Sequence, residues 1–294
     1  MTKWPAAPAG RIAYVNGRYL PHGRAMVHVE DRALQFGDGV YEVMALVCGL
    51  PVDEDAHLDR LERSLGEIGI AMPMGRPALK SVLREVAARN HARDGILYLQ
   101  VTRGAARRDH VPPTDGPRPT LILTFQRQDR AALAARLEKG VAVVTRPDER
   151  WARRDIKTVQ LLPNLLAKQA ARAAGAHEAW LVDAQGFVTE GASTNAWIVD
   201  GAGAAVTRDL SHAILPGVTR RVLMAALAEA GVPVEERKFT VAEAQGAREA
   251  FITSATGPLI PVVAIDGVPV GNSEPGPLTA RLRALYMRKA GIPS

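Results

Sequence analysis

Residues 154–162 read Arg154-Asp155-Ile156-Lys157-Thr158-Val159-Gln160-Leu161-Leu162, and this stretch carries the reading of the fold. Its β-branched and apolar residues predict an extended segment over Asp155–Leu162. Side chains of an extended chain alternate between two faces, so Lys157 shares a face with Val159 and Leu161. An ammonium pressed among apolar groups loses hydration and is poised to give up its proton. A lysine in that state can attack a carbonyl carbon and form an imine. Two plainer readings stand beside this one. Lys157 pairs with Asp155, or its stem lies along apolar surface while the amine reaches water. The other lysines have ordinary settings: Lys3 near the terminus, Lys80, Lys168 and Lys289 on predicted helices, Lys139 at a helix end, and Lys238 after Glu235-Glu236-Arg237.

Outward from this segment, a helix is predicted over Asn164–Ala174, and a strand over Val141–Thr145 precedes it. Glu178–Val182, a turn at Ala184-Gln185-Gly186 and strands through Ala196–Val199 follow. A helix over Val218–Ala230 starts after Pro216-Gly217. A strand over Arg248–Thr253 leads into Ser254-Ala255-Thr256-Gly257, and Leu278–Lys289 is the last helix. Toward the N-terminus, Ile12-Ala13-Tyr14-Val15 meets Asn16-Gly17, a strong hairpin signal. A strand near Val40–Val47 follows Gly37-Asp38-Gly39. The helix Asp55–Gly69 spaces Leu58, Leu61, Leu65 and Ile68 along one face, and Pro77 opens another. Strands Ile96–Thr102 and Thr120–Phe125 bracket a long polar loop. Gln126–Lys139 reads as a connector with a short helix. The expected domains are therefore 1–126, a small N-terminal domain; 127–137, the connector; and 138–294, a large C-terminal domain. Strands and helices mix without regular βαβ repetition, which argues for an α+β fold.

Composition narrows the function classes. Apolar residues are 47% and charged residues 23% of 294, the balance of a globular chain. The one cysteine, Cys48, excludes a disulfide within the chain and suits a reducing, cytoplasmic setting. It sits in the apolar run Val43–Leu50 and reads as a bystander rather than a nucleophile. No apolar leader core and no run of about 18 apolar residues occurs, so neither a signal peptide nor a membrane span is expected. The net charge of +6 comes from scattered arginines, and aromatics are only 5%, which argues against nucleic acid as a partner.

Two further stretches bear on chemistry. Glu190 stands in Val188-Thr189-Glu190-Gly191, followed by Ser193-Thr194-Asn195. A carboxylate among small hydroxyl residues can face a heteroaromatic ring nitrogen and hold its proton, although Thr-Glu-Gly also suits a plain turn. Leu215-Pro216-Gly217-Val218-Thr219-Arg220 puts free N–H groups and a hydroxyl at a helix start, a ready site for phosphate or simply an ordinary cap. Ser254-Ala255-Thr256-Gly257 can add further N–H donors.

In order along the chain, several stretches resemble the fold-type IV pyridoxal-phosphate enzymes. They are Glu30-Asp31-Arg32 with Phe36-Gly37-Asp38-Gly39-Val40-Tyr41-Glu42, His57-Leu58-Asp59-Arg60-Leu61, Val101-Thr102-Arg103-Gly104, Asp155-Ile156-Lys157-Thr158, Asn164 with Ala167-Lys168, Thr189-Glu190-Gly191, and Pro216-Gly217-Val218-Thr219-Arg220. The resemblance implies a small N-terminal α/β domain and a larger C-terminal domain built on a mixed, barrel-like sheet. It implies pyridoxal 5′-phosphate as cofactor, held by Lys157 as a Schiff base. It implies Glu190 at the pyridine nitrogen, Leu215 against the ring, and Arg60, Val218, Thr219, Ser254 and Ala255 around the phosphate. Ala255 departs from the pattern, since family members commonly carry a threonine there.

Within that family, the loop Arg103-Gly104-Ala105-Ala106-Arg107-Arg108-Asp109-His110 is most similar to the D-amino-acid aminotransferases. Residues two apart in an extended loop point the same way, so Arg108 and His110 act together. With Tyr41, the resemblance makes them the binders of a substrate α-carboxylate, reaching over from a neighbouring subunit. The expected activity is transamination between D-amino acids, such as D-alanine and D-glutamate, and 2-oxo acids, by a homodimer. The alternatives are an L-branched-chain aminotransferase, an (R)-amine transaminase and a 4-amino-4-deoxychorismate lyase.

Overall fold

The computed structural model describes residues 10–114 and 116–292. The chain forms two compact units: one runs to Gln128 and takes in Ile156–Gln160, and the other comprises Asp129–Asp155 and the chain from Leu161 onward.

The first unit contains β1 (Ile12–Val15), β2 (Arg18–Pro21), α1 (Arg32–Phe36), β3 (Gly39–Val47), β4 (Leu50–Pro51), α2 (Glu54–Glu67), α3 (Arg76–Arg89), β5 (Gly95–Thr102) and β6 (Thr120–Gln126). Its sheet is antiparallel, in the order β2-β1-β6-β5-β3-β4. The first hairpin turns at Asn16 and Gly17, both at positive φ, as a tight two-residue turn requires. Strand alternation sorts β3 into a core face of Val40, Glu42, Met44 and Leu46 and an opposite face carrying Tyr41. Leu58, Leu61 and Leu65 of α2 and Leu79, Leu83 and Val86 of α3 form one core with Leu97, Leu99 and Leu123 of the sheet. Glu42 is thus a carboxylate on an apolar face, which demands partners.

The second unit contains α4 (Arg130–Lys139), β7 (Val141–Pro147), α5 (Leu162–Ala173), β8 (Glu178–Val182), β9 (Val188–Gly191), β10 (Asn195–Val199), β11 (Ala205–Thr207), α6 (Val218–Glu229), β12 (Val234–Glu236), α7 (Val241–Gln245), β13 (Glu249–Ser254), β14 (Gly257–Ile265), β15 (Val268–Pro269) and α8 (Pro277–Lys289). Its sheet is mixed, in the order β12-β11-β10-β13-β14-β7-β8-β9, with β15 beside β14. The edge strand β9 is joined to β10 by the tight turn 192–194, closed by the Gly191 N–H donating to Thr194 O at 2.7 Å. A strand at one edge that is covalently next to a strand well inside the order makes the sheet curl back on itself. Trp180, Phe239, Ile198 and Ile252 fill one core cluster. Trp197 and Phe251, stacked at 5.4 Å, form another with Leu223, Leu227, Leu282 and Tyr286. The α+β class and the mixed, curled second sheet agree with the sequence reading.

One element does not. Asp155–Leu162 is no strand: apart from a single bridge between Val40 and Thr158 it is irregular, and α5 already begins at Leu162. The expected alternation survives in inverted form. Ile156 and Thr158 are the buried residues, whereas Lys157 and Val159 are only half-buried. Ile156 enters the core of the first unit, so an apolar residue next to the lysine, not the lysine's own face, anchors the segment.

Candidate active site

In the first unit, β3 lays out chemistry on both faces. On the core side, Glu42 is fully buried and accepts hydrogen bonds from Arg60 Nε at 2.8 Å and Arg60 Nη2 at 2.8 Å, while His57 Nδ1 lies 2.7 Å from its second oxygen. Arg60 and His57 sit three apart on α2, so one helical face presents both. Burial pushes the Glu42 carboxyl up, but the charge and bonds of Arg60, joined by His57, outweigh it and bring it down to about 2. Burial pushes the His57 imidazole down, against the opposing pull of Glu42.

On the other face, Tyr41 stacks with Tyr98 at 5.7 Å, and Lys157 Nζ stands 4.2 Å from the centre of the Tyr41 ring. The Tyr41 N–H donates to Lys157 O at 3.0 Å, and the Val159 N–H donates to Gly39 O at 3.0 Å, so β3 fixes the backbone on both sides of the lysine. Asp155 is gripped by Arg153 Nε and Nη2, each at 3.0 Å. Burial lifts the Tyr98 phenol to about 12, and its hydroxyl donates to Gln100 at 2.7 Å.

Arg108 and His110 lie on the loop between β5 and β6, both exposed and both against Phe36 of α1: the guanidinium carbon is 5.2 Å and the imidazole centre 5.5 Å from the ring centre. Both side chains thus lie against the same ring.

The second unit holds Glu190, Leu215, Val218, Thr219, Ser254 and Ala255. Glu190 is buried at the end of β9. Its carboxylate accepts from Arg150 Nη1 at 2.5 Å, from Asn195 Nδ2 at 2.9 Å, and from the Leu215 N–H at 3.1 Å to each oxygen. Burial pushes this carboxyl up from its ordinary value; Arg150 and the Leu215 N–H pull against that, and the charge of Asp148 adds to it. Arg150 is itself forked onto Asp148 at 2.9 and 2.8 Å, and the Thr189 hydroxyl donates to Asp148 at 2.8 Å. Neither Arg150 nor Asp148 is singled out by sequence; Asp148-Glu149-Arg150 reads as a solvated charge run.

Next comes the start of α6. Gly217 caps it with extended backbone and no side-chain cap, leaving the first N–H groups of Val218 and Thr219 without helical partners. A Cβ on Gly217 would lie 2.0 Å from Asn195 Oδ1, so only glycine allows the helix start to approach β10. The Thr219 hydroxyl is buried and has no hydrogen-bond partner among the described residues. Ser254 ends β13, and residues 255–256 form the turn into β14.

Comparison with known proteins fixes the class. The family described as Amino-transferase class IV matches residues 39–265. The chain is 40% identical over 270 residues to a D-alanine aminotransferase of Bacillus licheniformis, covering 91% of this chain and 93% of that protein. It is 38% identical over 276 residues to a D-alanine aminotransferase of Listeria monocytogenes serotype 4b (strain F2365), covering 94% of each. Among solved structures, the branched-chain amino acid aminotransferase of Escherichia coli shares the fold with a TM-score of 0.88 at 24% identity, over 97% of this chain and 96% of that one. A branched-chain amino acid aminotransferase from T.th., with pyridoxamine 5′-phosphate, gives 0.86 at 26%, over 96% and 95%. The chain belongs to the class IV aminotransferases, enzymes that work with pyridoxal 5′-phosphate.

The residues fit that cofactor. Glu190 is a buried carboxylate whose affinity for protons is raised by that burial, the property that a ring N–H partner calls for. The unpartnered Thr219 hydroxyl and the uncapped start of α6 suit a phosphate dianion.

Proposed function

We propose that this aminotransferase moves the amino group between D-amino acids and 2-oxo acids, with D-alanine and D-glutamate as donors and pyruvate or 2-oxoglutarate as acceptors. The observation that carries this reading is the meeting of Arg108 and His110 on the Phe36 ring, a guanidinium and an imidazole placed together where one carboxylate can be held. The identity of 35–40% to D-alanine aminotransferases supports it.

Lys157 would hold the cofactor by its amine, Glu190 would keep a proton on the ring nitrogen, and Leu215 would lie against the ring. Arg60, the N–H groups of Val218 and Thr219, the Thr219 hydroxyl, Ser254 and the Ala255 N–H would take the phosphate. When bound, pyridoxal phosphate supplies the electron sink that stabilises negative charge at the substrate Cα. Lys157 Nζ would take the proton from the substrate Cα and hand it on during the transfer. Arg108 and His110, with the Tyr41 hydroxyl, fix the substrate carboxylate and thereby select which enantiomer presents its Cα proton to Lys157.

A second copy of the chain brings Arg108 and His110 to the site in this reading. Exposed apolar residues support a partner surface: Met26, Val29, Leu34 and Val111 in the first unit and Leu162, Leu165 and Leu166 on α5. The enzyme acts in the cytoplasm, in keeping with its single cysteine; among the described residues no helix is long and apolar enough to cross a membrane.

The test supplies cofactor, 2-oxoglutarate and either D-alanine or L-leucine. Pyruvate released from D-alanine is the expected result, and turnover of L-leucine alone overturns the reading. An L-specific or simple-amine enzyme would also lose little on Arg108→Ala, and a lyase would need no 2-oxo acceptor.

A further inference from the structure

Arg108 and His110 are exposed on a loop without regular structure, yet both meet a single ring. What holds them there lies underneath. Arg32 is buried on α1, and its guanidinium is fully directed: Nε donates to Asp38 Oδ2 at 2.8 Å, Nη1 to Asp109 O at 2.6 Å, and Nη2 to His110 O at 3.1 Å. Two successive carbonyls gripped by one planar fork fix the peptide planes on either side of His110, and with them the direction of its side chain. The same guanidinium carbon stands 4.7 Å from the Phe36 ring centre, so Phe36 meets Arg32, Arg108 and His110 together.

The base of this assembly is rigid. Asp31 caps α1 through the Ala33 N–H and accepts from the Thr102 hydroxyl at 2.9 Å, which joins α1 to the end of β5. Arg103 Nε reaches the same Asp38 oxygen at 2.7 Å. Gly104, at φ +100, passes so close to Arg118 that a Cβ would lie 2.1 Å from its carbonyl oxygen, which pins the two ends of the loop together.

We propose that Arg32 and Phe36 are positioning residues that hold Arg108 and His110 ready for a substrate carboxylate, and that they set the preference for amines bearing an α-carboxylate. The inference rests on the function proposed above. Without the fork, two long exposed side chains must be ordered by each substrate molecule as it binds, and that cost falls on carboxylate binding rather than on proton transfer.

The experiment compares Arg32→Lys, Phe36→Leu and Arg108→Ala in the cofactor-loaded enzyme. For the first two we expect KM for D-alanine to rise about tenfold with kcat within about threefold of wild type. Binding of propionate, a carboxylate without an amine, measured by calorimetry should weaken in parallel. The single-turnover rate with D-alaninamide, which lacks the carboxylate, should be unchanged. Lysine keeps the charge of Arg32 but cannot fork, so a variant that folds and still binds propionate as wild type overturns the proposal. Equal losses with D-alanine and D-alaninamide overturn it too, since they mark a general structural role. Phe36→Leu leaves the buried ion pair intact and keeps the test open if Arg32→Lys fails to fold. If Arg108→Ala itself leaves propionate binding and KM for D-alanine untouched, the carboxylate reading of the loop fails, and this inference falls with it.

Discussion

Glu42 and Glu190 are both buried glutamates held by an arginine, one in each unit, and they are tuned in opposite directions. Glu42 takes its side-chain partners from α2, and Arg60 grips both of its oxygens. It is an ion pair, joined by His57, that holds the Arg60 guanidinium in place. Glu190 takes its donors from three separate segments, and its arginine is shared with a second carboxylate, Asp148. Burial is therefore not fully offset there, and the carboxyl keeps a raised affinity for protons. That property suits a group that must share a proton with a ring nitrogen, while a permanently ionised Glu42 suits a strut. An arginine beside a buried acid does not reveal its role; what the arginine also has to neutralise does.

The largest effect should come from removing the Lys157 amine, on which the proposed chemistry depends. Lys157→Ala should cut transamination on the order of 10⁴-fold, and the protein should no longer retain cofactor through dialysis. Comparable turnover in that variant would remove the basis for assigning either glutamate. The comparison itself is sharpened by two isosteric changes. Glu190→Gln should lower kcat roughly 10²–10³-fold with little change in unfolding by urea. Glu42→Gln removes the buried charge that Arg60 grips and should destabilise the protein by about 3–5 kcal/mol. Had the two variants the same signature, the division into strut and proton holder would be wrong.

Acid sensitivity separates them again. The folded state binds the Glu42 proton less tightly than the unfolded chain, so the Glu42 contribution is full above its ordinary value of 4.5 and is lost as pH falls toward about 2. For a shift of this size the contribution is of order 3 kcal/mol. His57, also lowered, acts in the same sense from its ordinary 6.5 downward. Glu190 runs the other way: its burial costs stability as pH rises from 4.5 through its higher folded value. Urea midpoints of wild type should fall as pH drops from 6.5 to 3, and Glu42→Gln should flatten the lower part of that limb. A limb of unchanged slope in Glu42→Gln would contradict the assignment.

How much of this was legible beforehand follows the range of the interactions. The helices α2, α3, α5, α6 and α8 and the strands β3, β5, β6, β8 and β13 declare themselves through local spacing of apolar residues and caps. The Asp155–Leu162 segment does not, because its irregular path is set by pairing with Gly39, Val40 and Tyr41, more than a hundred residues away. Strand β14 follows β13 after two residues, and no local signal marks that turn as a hairpin. In the site, Lys157 and Glu190 stand out as residue types in telling company. Glu42 could have been found by alternation alone, since it shares the core face with Val40, Met44 and Leu46. Arg150 and Asp148 could not, since their meaning depends on Glu190 being brought to them by the pairing of β7, β8 and β9.

The smallest effect concerns a single hydroxyl, and its two readouts should move in opposite directions. Thr219 Oγ1 is buried at the start of α6 and has no partner among the described residues, a cost to the fold. Thr219→Val keeps the shape and removes the unpaired group. Without cofactor, the variant should be as stable as wild type or more so, by up to about 1 kcal/mol. With cofactor, it lacks one hydrogen bond to an anion, and affinity for pyridoxal phosphate should fall roughly five- to tenfold. The two changes have one origin: a hydroxyl left unsatisfied in the folded chain is worth most to a ligand that completes it. Loss of stability in the cofactor-free variant would mean that Thr219 already has its partner, and the place assigned to the phosphate would have to move away from this helix start.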